Sequence, residues 1–299
     1  LLPALRGVLT SNLMTPLCQR VEGWEGIRGV VEVDQRPIGR TPRSCPATFV
    51  EIMDPIRTVF AQSKEARLRG YGAGRFSFNS KEGRCPECEG LGARRVDIPF
   101  LPETFAECRT CRGKRYNRQS LSLLFKGSSI GDVLEMTVGQ AREFFENHSR
   151  IERTLATLAS VGLDYLSLGQ WSTTLSGGES QRLKLAKELA RLKTEPTLYV
   201  LDEPTTGLHF QDVDLLLRLL SRLVDEGHTV LVIEHHLDLI AAADWIIDLG
   251  PGGGADGGRI VAEGTPETLI QAGIGATAGA LAQRKQQGIR SRQISPPNP

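Results

Sequence analysis

Two short apolar runs flank a helical pattern between Leu198 and Ile233, and this arrangement restricts the fold more than any other feature. Leu198–Leu201 and Val230–Ile233 are typical of strands that are buried on both faces. Between them, apolar residues recur at helical spacing, and Gly227 stands where a helix C-cap is expected. Strand, helix and strand within about 35 residues form a βαβ unit, which predicts a parallel sheet in an α/β fold.

The sequence predicts three further strand segments and a disordered tail. Trp245–Leu249 is a third candidate for a strand buried on both faces, and Gly258–Gly264 predicts a short edge hairpin after a glycine-rich turn. Near the amino end, Gly29–Asp34 has the β-branched composition of a strand. From about Gly273 to Pro299 the chain is rich in Gly, Ala, Gln and Pro, so we expect this tail to be mostly disordered.

The middle of the chain differs from both ends in its pattern of apolar residues. Helical periods near 52–60, 139–145 and 151–161 surround a cysteine module at 84–115. We therefore expect one α/β domain that is interrupted by a helical region. The predicted domains are 1–45 for the first part of the core, 46–170 for the helical region with its cysteine module, 171–272 for the second part of the core, and 273–299 for the tail.

Composition excludes some classes of function. The 299 residues include 36 Lys and Arg against 35 Asp and Glu, so whole-chain charge gives no argument for nucleic acid. The sequence has no basic-plus-apolar signal segment and no charge-free apolar run of about 18 residues, which favours a cytoplasmic protein without a membrane span. Six cysteines are too few for a disulfide scaffold at this length.

The run Leu175 to Arg182, with the sequence LSGGESQR, predicts a capped helix that binds an anion. Ser176 is placed to cap the helix, and Glu179 three residues later completes a capping box. Gly177 and Gly178 leave backbone N–H groups unobstructed at the positive end of this helix, where a γ-phosphate would fit. The alternative is an ordinary capped helix in which the glycines only turn the chain.

Two carboxylates follow the first buried strand directly. Asp202 and Glu203 stand at its carboxyl end, where open α/β sheets bind their ligands. An Asp there can hold Mg²⁺ through water, and the adjacent Glu can orient and deprotonate an attacking water. As an alternative, the pair caps a helix and complements its dipole. The presence of the glycine run about 20 residues upstream, in this order, favours the chemical role.

The cysteines pair at metal-ligand spacing. Cys85 and Cys88 form one C-x₂-C pair, Cys108 and Cys111 form another, and 19 residues separate them. This spacing is typical of a Cys₄ zinc site, which is structural because four thiolates leave no open coordination position. Two disulfides or unliganded thiols are the alternatives.

Basic residues concentrate around the cysteines. From Lys64 to Arg118 there are thirteen Lys and Arg against seven Asp and Glu, with aromatic residues interleaved. Such a segment is suited to the DNA backbone and to distorted bases, although a solvated charged face with core aromatics has the same composition. The candidate DNA-binding residues are Arg94, Arg95, Arg112, Lys114 and Arg115.

The motifs resemble those of ATP-binding-cassette ATPases. LSGGESQR is similar to their signature motif, and Leu198–Pro204 is similar to their Walker B strand, which ends in a catalytic glutamate, here Glu203. His235 matches their switch histidine, and Gln35 matches their Q-loop glutamine. Taken alone, His235 is equally consistent with a structural histidine at a strand end, and Gln35 with a solvated loop residue. The resemblance implies ATP and Mg²⁺ as cofactors. It also implies a cassette nucleotide-binding domain with an inserted helical signature region and a Cys₄ zinc module.

A departure from the general cassette pattern narrows the family. After Glu-Pro-Thr most cassettes continue with a small residue, Leu and Asp, whereas this chain has Thr206–His209. Together with VDQRPIGRTPRS at 33–44, GRFSFN at 74–79 and GKRYN at 113–117, this run resembles the UvrA family, the damage-sensing ATPase subunits of the bacterial UvrABC excision nuclease. The resemblance covers about 1–268 and corresponds to the C-terminal half of the family.

The resemblance implies ATP-dependent recognition of distorted double-stranded DNA by a UvrA homodimer that loads UvrB. No phosphate-binding loop G-x-x-x-x-G-K-[ST] occurs in the sequence, and the first residue is Leu1. We therefore expect a fragment that is inactive alone and depends on a second nucleotide-binding half in the missing N-terminal region. The alternatives are a UvrA-like paralogue in drug resistance or export, and a catalytically silent, zinc-dependent DNA-binding module that begins here.

Overall fold

The computed structural model describes residues 2–9, 21–39, 41–96, 104–190, 195–206, 208, 210–250, 252 and 258–286. The chain divides into two compact units. Unit 1 comprises Leu1–Glu32 with Glu195–Pro299, and unit 2 comprises Val33–Thr194. The predicted features that lie outside the described residues are Gly207 and His209, most of the glycine-rich turn before Gly258, and the tail beyond Gln286.

Helices and short strands alternate along the chain. The helices are α1 (Leu2–Leu9), α2 (Pro46–Phe49), α3 (Met53–Ala61), α4 (Lys64–Leu68), α5 (Arg118–Leu121), α6 (Ile130–Glu135), α7 (Val138–Phe144), α8 (Ser149–Ser160), α9 (Gly177–Ala190), α10 (Phe210–Asp225), α11 (Leu237–Ala241), α12 (Pro266–Ala272) and α13 (Ala276–Gln286). The strands are β1 (Gly29–Val33), β2 (Ala93–Val96), β3 (Thr104–Glu107), β4 (Leu124–Phe125), β5 (Ser128–Ser129), β6 (Thr197–Asp202), β7 (Thr229–Ile233), β8 (Ile246–Gly250) and β9 (Arg259–Gly264). Among the described helices, none is long and apolar enough to cross a membrane.

The predicted βαβ unit forms the centre of unit 1. A three-stranded sheet has the order β1-β6-β7, and β6 pairs in parallel with β7 from Leu198 opposite Thr229 to Asp202 opposite Ile233. Residues 197–201 of β6 are buried, as expected for a central strand. Helix α10 buries its apolar stripe and ends at Asp225. Gly227 follows two residues later, and its φ of +86° is the left-handed conformation expected after a helix C-terminus.

The carboxyl-terminal part of unit 1 differs from its sequence expectation. β8 pairs antiparallel with β9 in a separate two-stranded sheet, and Ile247 and Leu249 are more than half exposed. The predicted strand therefore forms as β8, but the expectation that it is buried on both faces is wrong. The tail also begins with structure, since α13 buries Ala278 and Leu281 against Ile246 and Leu269. Small apolar residues at helical spacing outweigh the disorder that the composition suggests.

Unit 2 is helical, with a cysteine module inserted between α4 and α5. Helix α8 buries Ile151, Leu155 and Leu158, which lie on one face at helical spacing. Aromatic rings fill the adjoining core: Phe125 lies 6.0 Å from Phe60 and 6.3 Å from Phe145 between ring centroids. The cysteine module contains the antiparallel hairpin of β2 and β3.

The unit boundaries fall at other positions than the predicted domain boundaries. They lie between residues 32 and 33 and between 194 and 195, in place of 45 and 170. The segment from Gln35 to Ser44 and the LSGGESQR run therefore belong to the same unit as the four cysteines. The reason is packing: α9 contacts the helical region through α8, and it fastens the chain just after β1 by side-chain hydrogen bonds.

Burial in β6 gives a stability prediction. Leu201 is fully buried, so Leu201→Ala removes a filled core position and is expected to lower the free energy of unfolding of unit 1 by about 2–5 kcal/mol. Urea unfolding followed by circular dichroism measures this loss. The matched control is Leu249→Ala, at a strand position that is 62% exposed, with an expected change of about 0.5 kcal/mol or less. Equal losses in both variants would show that β6 is not the core strand.

Candidate active site and metal centre

The carboxyl ends of β6 and β7 bring three predicted residues of unit 1 to one edge of the parallel sheet. β6 ends at Asp202, and the next backbone N–H, that of Glu203, donates to the carbonyl of Ile233 at 2.9 Å. His235 follows β7 by two residues, and its Nδ1 lies 3.9 Å from Glu203 Oε1. The parallel register therefore places a carboxylate and an imidazole side by side, both more than half exposed.

The backbone of Glu203 is strained. Its φ is +42°, in the left-handed region that non-glycine residues rarely adopt, at a cost of about 1–3 kcal/mol. The carboxylate accepts a hydrogen bond from Thr206 Oγ1 at 3.3 Å, within the same turn. A general base must reach the proton that it removes, and this turn directs the carboxylate outward beside His235.

A buried carboxylate that sequence reasoning missed lies directly beneath these residues. Glu234 precedes His235, and its side chain is only 3% exposed. It accepts hydrogen bonds from the Thr205 backbone N–H at 3.1 Å and from the Thr205 hydroxyl, and from the N–H groups of His235 and His236 at 2.6 and 3.0 Å. The available sequence signal was an acidic residue directly after the apolar run Val230–Ile233, which forms β7. The structure leaves this strand only partly buried, in contrast to the expectation of burial on both faces.

In unit 2 the LSGGESQR run forms the predicted capping box. The Ser176 N–H donates to Glu179 Oε2 at 2.7 Å, and the Glu179 N–H donates to Ser176 Oγ at 3.2 Å. Tyr165, which the sequence did not indicate, donates its hydroxyl proton to Glu179 Oε1 at 2.7 Å. Burial and this hydrogen bond raise the pKa of Tyr165 to about 12, so the phenol remains a donor at neutral pH.

Gln35 lies against the same helix terminus. A Cβ placed on Gly177 would lie 3.4 Å from Gln35 Oε1, which is an ordinary contact distance, so Gln35 is adjacent to this position. Two residues of α9 hold the adjacent backbone: Gln181 Nε2 donates to the Val33 carbonyl at 3.1 Å, and Lys184 Nζ donates to the Arg36 carbonyl at 2.7 Å. The structure thus brings Gln35 together with the signature residues in unit 2, while Asp202, Glu203 and His235 belong to unit 1.

The four paired cysteines form one buried cluster. Cys85, Cys88, Cys108 and Cys111 are free thiols whose Sγ atoms all lie within 4.8 Å of one another, and Cys88 Sγ is 3.6 Å from Cys111 Sγ. Ligands about 2.3 Å from a tetrahedral zinc are separated by about 3.8 Å, so the cluster fits this metal. The Gly92 N–H donates to Cys88 Sγ at 3.3 Å. The alternative of two disulfides is excluded.

Two similar turns build this cluster. Positive φ angles occur at Glu89 and Gly90 after the first cysteine pair, and at Arg112 and Gly113 after the second. Gly90 is obligatory for a second reason, because a Cβ there would lie 1.8 Å from the Phe78 carbonyl oxygen. The turns direct the two pairs of thiols toward one point.

The five predicted DNA-binding residues separate into two groups. Arg94, Arg95 and Arg112 are exposed, although Arg94 is paired with Glu87. Lys114 is instead paired with Asp132 and lies 3.7 Å from Glu135.

Arg115 corrects the sequence prediction most clearly. It is 1% exposed, and its guanidinium lies 5.1 Å from the centroid of the Phe78 ring. A guanidinium that is buried in the core is not accessible to the phosphates of a DNA backbone. The interleaved Phe76, Phe78 and Tyr116 are buried as well, which supports the core reading of these aromatics.

Comparison with known proteins identifies the fold and the family. A family model described as ABC transporter matches residues 104–206. UvrABC system protein A of Aquifex aeolicus is 58% identical over 253 residues, which cover 85% of this chain and 27% of that protein. The Vibrio cholerae protein of the same name is 55% identical over 279 residues, or 93% of this chain and 29% of that protein. The crystal structure of UvrA2 from Deinococcus radiodurans matches with a TM-score of 0.83 and 52% identity, over 87% of this chain and 32% of that chain.

The chain belongs to the UvrA family. It spans less than a third of the length of these curated relatives. The ATP-binding-cassette fold class predicted from the signature and Walker B runs is confirmed by the family model and by the structural match.

Three of the four runs that indicated the UvrA family meet around one buried arginine. Arg115, in GKRYN, donates to the carbonyl of Arg43, in VDQRPIGRTPRS, at 3.2 Å and to the carbonyl of Gly169 at 2.9 Å. The next residue, Tyr116, donates its hydroxyl proton to the carbonyl of Phe76, in GRFSFN, at 3.0 Å. These UvrA-type runs therefore have a shared structural role, since they fasten the cysteine module to the segment that leads into the signature helix.

The cysteine cluster gives a prediction about metal content. The chain is expected to hold one zinc, and Cys88→Ser is expected to lose it, because serine does not supply the thiolate that tetrahedral coordination needs. Elemental analysis of the purified chain measures the stoichiometry. Cys45→Ser is the matched control, since Cys45 is equally buried but is not part of the cluster. A zinc content near zero in the unmodified chain would overturn the metal site.

Proposed function

We propose that this chain is the C-terminal nucleotide-binding part of a DNA-damage-recognition ATPase of nucleotide excision repair. In this proposal a UvrA homodimer hydrolyses ATP, binds distorted double-stranded DNA and loads UvrB. The observation that carries the ATPase part is the pairing of Glu203 with His235 at the carboxyl edge of a parallel sheet. The cassette family model and the UvrA relatives support the same conclusion.

The proposed chemistry assigns one role to each residue at the sheet edge. Asp202 holds a water of the Mg²⁺ shell, and Glu203 removes a proton from the water that attacks the γ-phosphate. His235 donates to a γ-phosphate oxygen from its exposed position. Gln35 belongs to unit 2 and not to this edge, and for it we propose the role that the family resemblance implies, which is to respond to the metal and the attacking water. Mg²⁺ supplies charge neutralisation at the phosphate oxygens. The outward turn of Glu203 is consistent with a base that meets its substrate at the surface of the unit.

The signature residues act on a second nucleotide in this proposal. Ser176 caps α9, and Gly177, Gly178 and Glu179 lie in its first turn, where the helix dipole and backbone N–H groups attract a phosphate. They close on ATP that is held by the phosphate-binding loop of another nucleotide-binding domain. Gln35 lies beside the Gly177 position, which is consistent with a link between these two motifs. Hydrolysis then requires the longer protein, and this chain alone is inactive.

The cysteine module supplies the proposed DNA contacts. Arg94, Arg95 and Arg112 are exposed on a module whose thiolate cluster fits a structural zinc. Arginines bind phosphate oxygens in the DNA backbone without reading its sequence. Contact with the backbone suits recognition of distortion, since a lesion changes the path of the backbone more than its charge.

Replacement of the proposed base separates binding from hydrolysis. In the longer protein, Glu203→Gln is expected to retain ATP binding and to lose at least about 100-fold in kcat, because the amide cannot take up the proton. Steady-state hydrolysis and equilibrium nucleotide binding measure the two effects. The control Glu267→Gln changes an exposed carboxylate at the start of α12 and should leave both unchanged. Undiminished hydrolysis in Glu203→Gln would remove Glu203 from this role.

Replacement of one exposed arginine tests the DNA surface. Arg112→Ala is expected to weaken binding to all DNA sequences alike and to reduce the salt dependence of binding by about one phosphate contact. Fluorescence anisotropy with a labelled duplex, at several salt concentrations, measures both. Arg218→Ala is the control, because Arg218 is an exposed arginine on α10 that is already paired with Asp214. An unchanged salt dependence in Arg112→Ala would show that this residue does not contact the backbone.

A further inference from the structure

Glu234 is a buried carboxylate for which the proposed chemistry has no role. Its side chain is 3% exposed and accepts four hydrogen bonds, three from backbone N–H groups and one from a hydroxyl. Buried carboxylates are rare unless such partners surround them. The burial of Glu234 among four hydrogen-bond donors therefore indicates a specific role for this side chain.

Each oxygen of this carboxylate serves a different turn. Oε1 accepts from the N–H and the hydroxyl of Thr205, in the turn that follows β6. Oε2 accepts from the N–H groups of His235 and His236, in the turn that follows β7. One rigid, planar group thus spans the two loops that leave the parallel sheet.

These are the loops that present the two side chains of the proposed reaction. Glu203 lies two residues before Thr205, and His235 follows Glu234 directly. Both side chains are more than half exposed, so little packing fixes them from outside. The strained backbone of Glu203 also needs a neighbour that holds its turn, and the hydrogen bonds of Thr205 to Glu234 provide one.

The charge of Glu234 is maintained by these contacts. Burial by itself raises the pKa of Glu234, but the hydrogen bonds from Thr205, His235 and His236 outweigh burial and hold the pKa below its usual value. The group is therefore a carboxylate at neutral pH, which accepts hydrogen bonds and donates none.

We propose that Glu234 is a positioning residue for ATP hydrolysis: its carboxylate clamps the turns after β6 and β7 and thereby sets the placement of Glu203 relative to His235. This inference rests on the proposed ATPase function and adds to it a residue that does not touch the substrate. Because Glu234 orients Glu203 and His235, we expect its loss to lower the rate of the chemical step and to leave ATP binding unchanged.

The first test is a substitution that preserves volume. Glu234→Gln replaces one acceptor oxygen by an NH₂ group, which then faces backbone or hydroxyl donors and releases one of the two turns. In the longer protein we expect kcat for ATP hydrolysis to fall roughly 10- to 100-fold while KM changes by about twofold or less. Glu226→Gln is the matched control, because Glu226 is an exposed carboxylate of the same unit and should leave kcat unchanged.

The second test removes a single contact. Thr205→Val deletes the hydroxyl that bonds to Glu234 and keeps the backbone N–H, whereas Thr205→Ser keeps both. We expect Thr205→Val to lose part of the rate that Glu234→Gln loses, and Thr205→Ser to restore most of it. This milder pair also serves if Glu234→Gln does not fold. Equal rates for the valine and serine variants would contradict the clamp.

A readout without catalysis completes the test. In histidine-labelled chain, the imidazole resonance of His235 is expected to move in Glu234→Gln, while that of His228, buried near Tyr199, stays in place. A lower melting temperature with unchanged kcat per folded molecule and an unmoved His235 resonance would overturn the inference. If the unmodified longer protein does not hydrolyse ATP, the proposed function fails, and the His235 resonance still decides whether Glu234 positions that side chain.

Discussion

The parallel pairing of β6 with β7 is the constraint on which the candidate active site depends. Because Asp202 is in register with Ile233, the chain leaves both strands at the same level, and the next residues meet across the sheet edge. That geometry brings Glu203 beside His235 and places Glu234 where one carboxylate reaches both turns. A shift of one residue in this register would turn each side chain to the opposite face and separate them. The buried residues of β6 hold the register in place.

In unit 2, α9 has a comparable organising role. Its amino end carries the capping box of Ser176 and Glu179, and its next turns bind the backbone on both sides of Gln35 through Gln181 and Lys184. The segment that leads into α9 is fastened to the cysteine module by Arg115. Helix α9 thus binds residues about 150 positions earlier in the chain, and the Arg115 guanidinium joins Arg43 to Gly169. The signature residues and the proposed DNA contacts consequently belong to the same unit.

Local sequence patterns predicted local structure well. Contacts between residues far apart in the chain could not be predicted from the sequence. The βαβ unit, the Gly227 cap and the Ser176 capping box depend on neighbours along the chain, and the structure contains all of them. The cysteine cluster was predictable because thiol spacing restricts geometry. Arg115 was misjudged as a DNA contact, because its carbonyl partners, Arg43 and Gly169, lie 72 and 54 residues away. Glu234 was missed for the same reason, since its partner Thr205 lies 29 residues away, in the turn after β6.

The proposed function requires the register of β6 and β7 to place Glu203 and His235 around the γ-phosphate. A crystal structure of the longer protein with Mg²⁺, ADP and a fluoride mimic of the transferring phosphoryl group tests this requirement. We expect the Glu203 carboxylate within hydrogen-bond reach of the attacking water and the His235 imidazole within reach of the mimic, with β6 and β7 in the present register. A mimic bound away from these two side chains would contradict the proposed function.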